Sequence, residues 1–215
     1  MLAFLGGTGP EGRGLALRCA LIGEEIVIGS RDAKKAVKAA EKLGADVPGA
    51  KISGAENSIA AHLGDIVFLT VPYEAQKALL KDVASDLSGK VVVSVVAPLV
   101  FEGGQVTALQ VADGSAAQQI QNLVPQCQVV GAFQNLSATK LLALDQPLDG
   151  DVVTCSDYPQ AKGRIMAMVD LINDLRAVDG GGLGNSRYVE ELTALLLNIN
   201  RIYKAHSAIR VVGLS

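Results

Sequence analysis

The chain of 215 residues contains no tryptophan and only four phenylalanines and four tyrosines. Its interior must therefore be built from Val, Ile, Leu and Ala, the residues that buried parallel strands favour. Histidine occurs only at His62 and His206, and cysteine only at Cys19, Cys127 and Cys155, with neither a ligand-like histidine spacing nor a CxxC. That scarcity argues against a metal centre, a histidine-based catalytic triad and a disulfide framework. The cysteines read as small core residues in a reducing cytoplasm. The net charge of -3 includes no basic block, which argues against nucleic acid as a partner. No apolar run reaches membrane-spanning length, and strand-like sequence begins at residue 2, which leaves no room for a signal peptide. The expectation is a cytoplasmic, soluble protein with no membrane partner.

What is present is a run of short β-branched segments alternating with helical patterns. "LAFLG", "EEIVIGS", "DIVFLTV", "KVVVSVV" and "QVVGAF" read as strands. Between the second and third, Asp32 to Leu43 reads as an amphipathic helix capped by Asp32, with Ala33, Ala36, Val37, Ala40 and Leu43 on the buried face. Residues 73–87 read as another helix, ended by Ser88-Gly89. Strands joined by crossover helices give a parallel sheet with right-handed connections. The reading is α/β: a Rossmann-type doubly wound domain over residues 1–145, and a small C-terminal α+β domain over 146–215. In the latter, "DVVTCS" reads as a strand and Gln160–Leu175 as a helix burying Ile165, Met168, Val169 and Ile172. "RAVDGGGLGNS" reads as a glycine-rich turn, and residues 187–209 as a long apolar helix. About seventy residues bury little alone, so this segment is expected to pack on the first domain or on a second subunit.

Gly7, Gly9 and Gly12 have the G-x-G-x-x-G spacing after a strand and at the opening of a helix. The first permits the tight turn, the second lets backbone approach a pyrophosphate, and the third allows close helix–strand packing. With Thr8, Pro10 and Glu11 they form a phosphate-binding loop at a helix N-terminus. At the end of the second strand an acid would accept hydrogen bonds from a ribose 2′-OH. Here Ser30-Arg31 follows Gly29, with Lys35 one turn along. A hydroxyl, a guanidinium and an ammonium suit a 2′-phosphate, so the spacing selects NADP.

"LGGTGPEGRGLALR", "IVIGSR", "LTVPYE" and "GLGNSRYVEELTALLLNI" together resemble the NADPH-dependent reductases of the deazaflavin coenzyme F420. The resemblance runs through nearly the whole chain, and the Asn-Ser-Arg-x-Val-Glu-x-Leu-Thr segment at 185–193 is its most specific part. The family is related in fold to pyrroline-5-carboxylate reductases and to the reductase domains of membrane ferric reductases. The resemblance implies reversible hydride transfer between NADPH and coenzyme F420, with the deazaflavin stacked on the nicotinamide. Such a transfer needs alignment and exclusion of water more than an ionising side chain, so no catalytic residue and no metal is assigned.

Loops at the carboxyl ends of the strands are expected to build the site: Thr70, Val71, Pro72 and Tyr73 after the third strand, Ala97 and Pro98 after the fourth. After the fifth comes "AFQNLSATK", a loop that in the family contributes to the deazaflavin pocket, sometimes with a histidine that is missing here. Gln134, Asn135, Ser137 and the amide of Ala138 are its candidates, with a capping role for Ser137 equally open. Leu183 and Gly184 are the candidates from the glycine-rich segment. Asn185 or Ser186 is expected to cap the long helix. Arg187 either holds a ligand anion or pairs with Glu190 or Glu191, and Asn198 and Asn200 are expected to make interdomain hydrogen bonds. Two rival readings stay open: an NADP-dependent imine or ketone reductase, and a nucleotide-sensing module without turnover. The apolar length of residues 188–202 predicts a homodimer or higher homo-oligomer.

Overall fold

Leu2 and Phe4 face one side of the first strand and Ala3 and Leu5 the other, and all four are buried. The computed structural model describes residues 1–214. In chain order its elements are β1 (Leu2–Leu5), α1 (Pro10–Leu21), β2 (Ile26–Ser30), α2 (Ala33–Asp46), β3 (Ile52–Glu56), α3 (Asn57–Leu63), β4 (Ile66–Leu69), α4 (Tyr73–Val83) and β5 (Val91–Ser94). There follow β6 (Leu99–Glu102), β7 (Gln105–Ala108), α5 (Ala116–Leu123), β8 (Gln128–Gly131), α6 (Ala138–Leu142), β9 (Gly150–Thr154), α7 (Pro159–Leu171), β10 (Leu175–Asp179) and α8 (Ser186–Tyr203).

The main sheet has six parallel strands in the order β3-β2-β1-β4-β5-β8. The expected α/β doubly wound fold is therefore present, with one strand more than the five expected. The strand order reverses between β1 and β4, where a sheet of this kind opens a crevice at its carboxyl edge. Leu2, Phe4, Ile26, Ile28, Ile66, Phe68 and Val93 pack on one face with α1 and α7, while Ala3, Leu5, Val27, Val67 and Val92 pack on the other with α4 and α5. Phe4 and Phe68 stack with ring centroids 4.5 Å apart.

Beyond residue 145, β9 and β10 pair in parallel, and Cys155 bridges to Gly131 at the end of β8. The segment read as wholly glycine-rich turn starts as the strand β10, because Leu175 to Asp179 pair residue by residue with Gly150 to Thr154. Helix α7 ends at Leu171, earlier than expected; Ile165, Met168, Val169 and Ile172 are buried as expected and join the cluster that contains Leu2 and Phe4. Asp32 caps α2 through Lys34 N and Lys35 N, but Val37 is exposed, because the buried stripe is the narrower set Ala36, Ala40 and Leu43.

Helix α8 is tied down by polar side chains. Asn198 accepts from Val106 N and donates to Val106 O, clamping the β6–β7 hairpin, whereas Asn200 accepts from Ser207 N in the chain that follows the helix. The expected side-chain cap is absent: Asn185 donates to Gly180 O instead, and Ser186 Oγ has no protein partner. Arg187 forms no ion pair with Glu190 or Glu191 and lies over the Tyr188 ring at 5.1 Å.

Glu190 instead reaches across to α5 and accepts from Ala116 N at 2.7 Å and Ala117 N at 3.1 Å. Burial pushes its carboxyl up to about 7, against the lowering effect of those two amides. Replacement Glu190→Ala leaves two buried donors unsatisfied and is expected to cost about 1–3 kcal/mol of stability. A raised carboxyl stabilises fully below its unfolded value of 4.5 and loses that contribution as pH rises through the folded one. Urea midpoints of the wild type should therefore fall from pH 5 to pH 8, and fall less in Glu190→Gln. A Glu190→Gln slope equal to that of the wild type would assign the fall to other groups.

Candidate functional site

The loop that joins β1 to α1 is fixed by its own backbone. Gly7 N donates to Phe4 O and to Gly29 O, each at 3.0 Å, and Gly6 N donates to the Asn57 side chain at 3.1 Å. Pro10 opens α1 at a position whose N–H would have no partner within the helix. A Cβ at Gly12 would lie 2.6 Å from both Gly7 Cα and Thr70 Oγ1. Thr70 Oγ1 in turn donates to Leu5 O at 2.9 Å, so loop, helix and the end of β4 are packed without room for a side chain. Gly7 is buried under the turn, while Gly9 is nearly open, with only Gly6 O at 3.8 Å from where its Cβ would stand. The second glycine is thus the one that leaves space for a ligand.

A cleft of about 780 Å³ runs along this edge. Of the candidates, it gathers Thr8, Gly9, Pro10 and Glu11 from the loop, Ser30, Arg31 and Lys35 from the end of β2, Thr70, Val71, Pro72 and Tyr73 from the end of β4, and Ala97 beyond β5. Gly7 and Gly12 shape it from beneath. At one end Ser30 Oγ accepts from Asp32 N, and Asp32 caps the first turn of α2, which sets Lys35 beside Arg31. Arg31 and Lys35 are exposed, and among the described residues neither forms an ion pair. Two free cations and a hydroxyl at the mouth of a cleft fit a phosphate monoester.

Sequence reasoning missed Gly6, Asp32, Glu56, Asn57 and Ser58, and the α4 face of Ala75, Ala78, Leu79, Asp82 and Val83, all of which line the cleft. Glu56 and Asn57 stand at the carboxyl end of β3, a strand the pattern did not reveal. Glu11 lines the cleft from the first turn of α1, and its Oε1 is shielded from solvent without a hydrogen-bond partner. Burial alone pushes its carboxyl up to about 8.

The remaining candidates lie away from the cleft. Pro98 is buried, and its carbonyl accepts from Leu109 N at the base of the β6–β7 hairpin. Phe133 turns the chain after β8 with a φ of 73°, unusual for an aromatic residue. Beyond it, Gln134 donates to Ser94 O and Asn135 to Val189 O and Thr193 Oγ1, so both side-chain NH2 groups are spent inside the fold, while Gln134 Oε1 and Asn135 Oδ1 are buried without a partner. Ser137 precedes α6 without capping it through its side chain; its Oγ meets His206 Nδ1 at 3.1 Å. Ala138 opens α6, and Leu183 is buried in the core. Gly184 is exposed beside Gln118 of α5, and α5 reaches the cleft through Gln119, whose side-chain amide donates to Tyr73 Oη at 3.1 Å. The donors of Gln134 and Asn135 are thus not free for a ligand.

Among the described residues there is no His, Cys, Asp or Glu cluster able to hold a metal, and no helix long and apolar enough to cross a membrane.

Comparison with known proteins gives the family. Residues 1–98 match the family model described as NADP oxidoreductase, coenzyme F420-dependent. The F420-dependent NADP reductase of Methanothermobacter marburgensis is 40% identical over 220 residues, covering 99% of this chain and 98% of that protein. The enzyme of the same name from Methanocaldococcus jannaschii is also 40% identical, at the same coverage. A solved structure from Arthrobacter sp. FB24, a candidate F420-dependent NADP reductase, superposes with a TM-score of 0.84 at 23% identity, over 99% of both chains, and so supports the fold. With that identity sustained along the whole length, the chain belongs to the family of F420-dependent NADP reductases.

Proposed function

We propose that this protein catalyses reversible hydride transfer between NADPH and the deazaflavin coenzyme F420. The observation that carries the reading is the cleft itself: a glycine-loop helix N-terminus at one wall and unpaired Arg31 and Lys35 beside Ser30 at one end. The near full-length kinship with F420-dependent NADP reductases supplies the second substrate.

The residues fit the dinucleotide. The amides at the start of α1 and its positive dipole end would hold the pyrophosphate, and open Gly9 leaves it room. Arg31, Lys35 and Ser30 would hold the 2′-phosphate, with Asp32 fixing their turn. Thr70 to Tyr73 and Ala97 would seat the nicotinamide half, at the carboxyl ends of β4 and β5. When both are bound, the nicotinamide supplies a hydride to the deazaflavin and one proton is taken up. The chain's own residues contribute position and a dry wall: Leu79, Val83, Val95 and Val96 are buried and apolar on the cleft side. Alignment of this kind is worth several powers of ten without any ionising group. The second substrate's wall is read as residues 182–186 and the border of the 134–138 loop, which makes residues 146–215 the part that closes the site. Bleaching of the oxidised deazaflavin's visible absorbance on addition of NADPH tests the reading; no bleaching with folded protein rejects it.

The same segment is the proposed subunit interface. Tyr188, Leu195 and Ile202 repeat every seven residues on α8 and are 61%, 55% and 70% exposed, with Tyr203 adjoining at 75%. An apolar stripe of that length on a stable protein is normally covered, and a second copy of this chain covers it symmetrically. Light scattering at micromolar concentration should give at least twice the 22.3 kDa chain mass. A monomer mass would reject the dimer.

A further inference from the structure

We propose that Glu11 meets the bound dinucleotide as a neutral carboxylic acid, donating its proton in a hydrogen bond to an anionic oxygen of the pyrophosphate, so that binding at alkaline pH takes up one proton from solution. The inference rests on reading the cleft as the dinucleotide site. Glu11 is the second residue of α1, the turn whose N-terminus receives the phosphates in such a crevice. It lines the cleft, yet its Oε1 is shielded from water and accepts nothing. An ionised carboxylate in that position would leave Oε1 with neither water nor a donor, and phosphate oxygens would repel it. Protonated, the same group could donate from the cleft wall through its other oxygen, the one not sealed from the cleft.

No neighbouring cation offers the alternative of a buried ion pair. Arg31, Asp32, Lys35, Glu56 and Asp82 are the other charged groups on the cleft. On α1 itself Arg13 follows two residues later, with its Nε unpartnered, and packed α6 brings Lys140, whose Nζ donates to Gln146. None forms an ion pair with Glu11 among the described residues, and burial alone accounts for a carboxyl held near 8. The balance is simple: above that value the free protein carries the carboxylate, and the complex carries the acid plus one proton drawn from buffer.

The sign follows. Affinity is full at pH 7 and falls once the free carboxyl ionises, by roughly tenfold or more between pH 7 and pH 9.5. The ribose 2′-phosphate titrates near pH 6, below this window. The test is the Kd of NADP⁺ across pH 7–9.5 by calorimetry, in two buffers of different ionisation enthalpy, on the wild type and Glu11→Gln. Expected are uptake of about one proton per NADP⁺ at pH 9, little at pH 7, and a wild-type affinity that declines with pH. In Glu11→Gln, which keeps a neutral donor, affinity should vary less than about threefold over the same range and proton uptake should vanish. A flat wild-type profile without proton uptake overturns the proposal, as does a Glu11→Gln profile that keeps the wild-type slope. The wild-type calorimetry stands even if the variant fails to fold. Absence of NADP⁺ binding at pH 7 would instead overturn the dinucleotide reading beneath it.

Discussion

Replacement Arg31→Ala is expected to weaken NADPH binding by about 1.5–3 kcal/mol, roughly ten- to a hundredfold, while leaving NADH binding nearly unchanged. The guanidinium stands exposed at the end of β2 without a carboxylate partner, so its contribution to the free protein's stability is small and its charge is available to a ligand. Only NADPH carries the 2′-phosphate that would use it. Because the site is open to solvent, the loss should shrink as salt rises. Lys35→Ala should act in the same direction and less strongly, since an ammonium binds as a point charge and not as a fork. Equal losses for both nucleotides in Arg31→Ala would mean that the side chain supports the loop. Fluorescence titration with each nucleotide at two salt concentrations decides between these outcomes.

That prediction could be drawn from the sequence because its residues are contiguous. Gly7 to Gly12, Ser30 to Lys35 and Thr70 to Tyr73 are each a strand end running into a helix start, and local chemistry fixes such turns. The partner groups are far along the chain. Asn57, which holds Gly6 N, sits 51 residues away, and Glu190 reaches α5 from 74 residues away. No periodicity announces either. Strand β3 escaped notice because "ISGAE" has one β-branched residue and a glycine; it forms because β2 offers an edge and α2 covers it, with Gly54 against the backbone of Ala36. The β6–β7 hairpin depends on Asn198, 92 residues on from Val106. Gln134 and Asn135 looked free because polar residues in a loop normally are. Here the strained turn at Phe133 carries them inward, to Ser94 and to α8. The expectation of an N-cap at Asn185 or Ser186 failed for a related reason: a 3₁₀ turn over Leu183–Asn185 precedes α8, and Asn185 closes that turn onto Gly180.

The same turn supplies the larger expected effect. Gly184→Val should lower deazaflavin reduction by at least about a hundredfold if residues 182–186 wall the second substrate as proposed, because a side chain there displaces one ring against the other and small misplacement is costly. Gly184 faces Gln118 on the first turn of α5, and the next residue, Gln119, holds the Tyr73 hydroxyl at the cleft wall. A branched side chain there would stand beside Gln118, one residue from the group that holds the cleft wall. Arg31, Lys35 and the glycine loop are untouched, so NADPH affinity should stay within about threefold, under roughly 0.7 kcal/mol. The structure makes Gly184 a cleaner probe than its neighbours. A Cβ there meets only Gln118 Nε2 at 3.8 Å, and its backbone lies outside the left-handed region. Gly181, by contrast, has a φ of 87° and would be strained by any substitution. Gly184→Val should therefore fold with the wild-type melting transition and elution volume. A folded variant that reduced the deazaflavin at close to the wild-type rate would remove residues 182–186 from the site and leave the second substrate to approach from the α4 side.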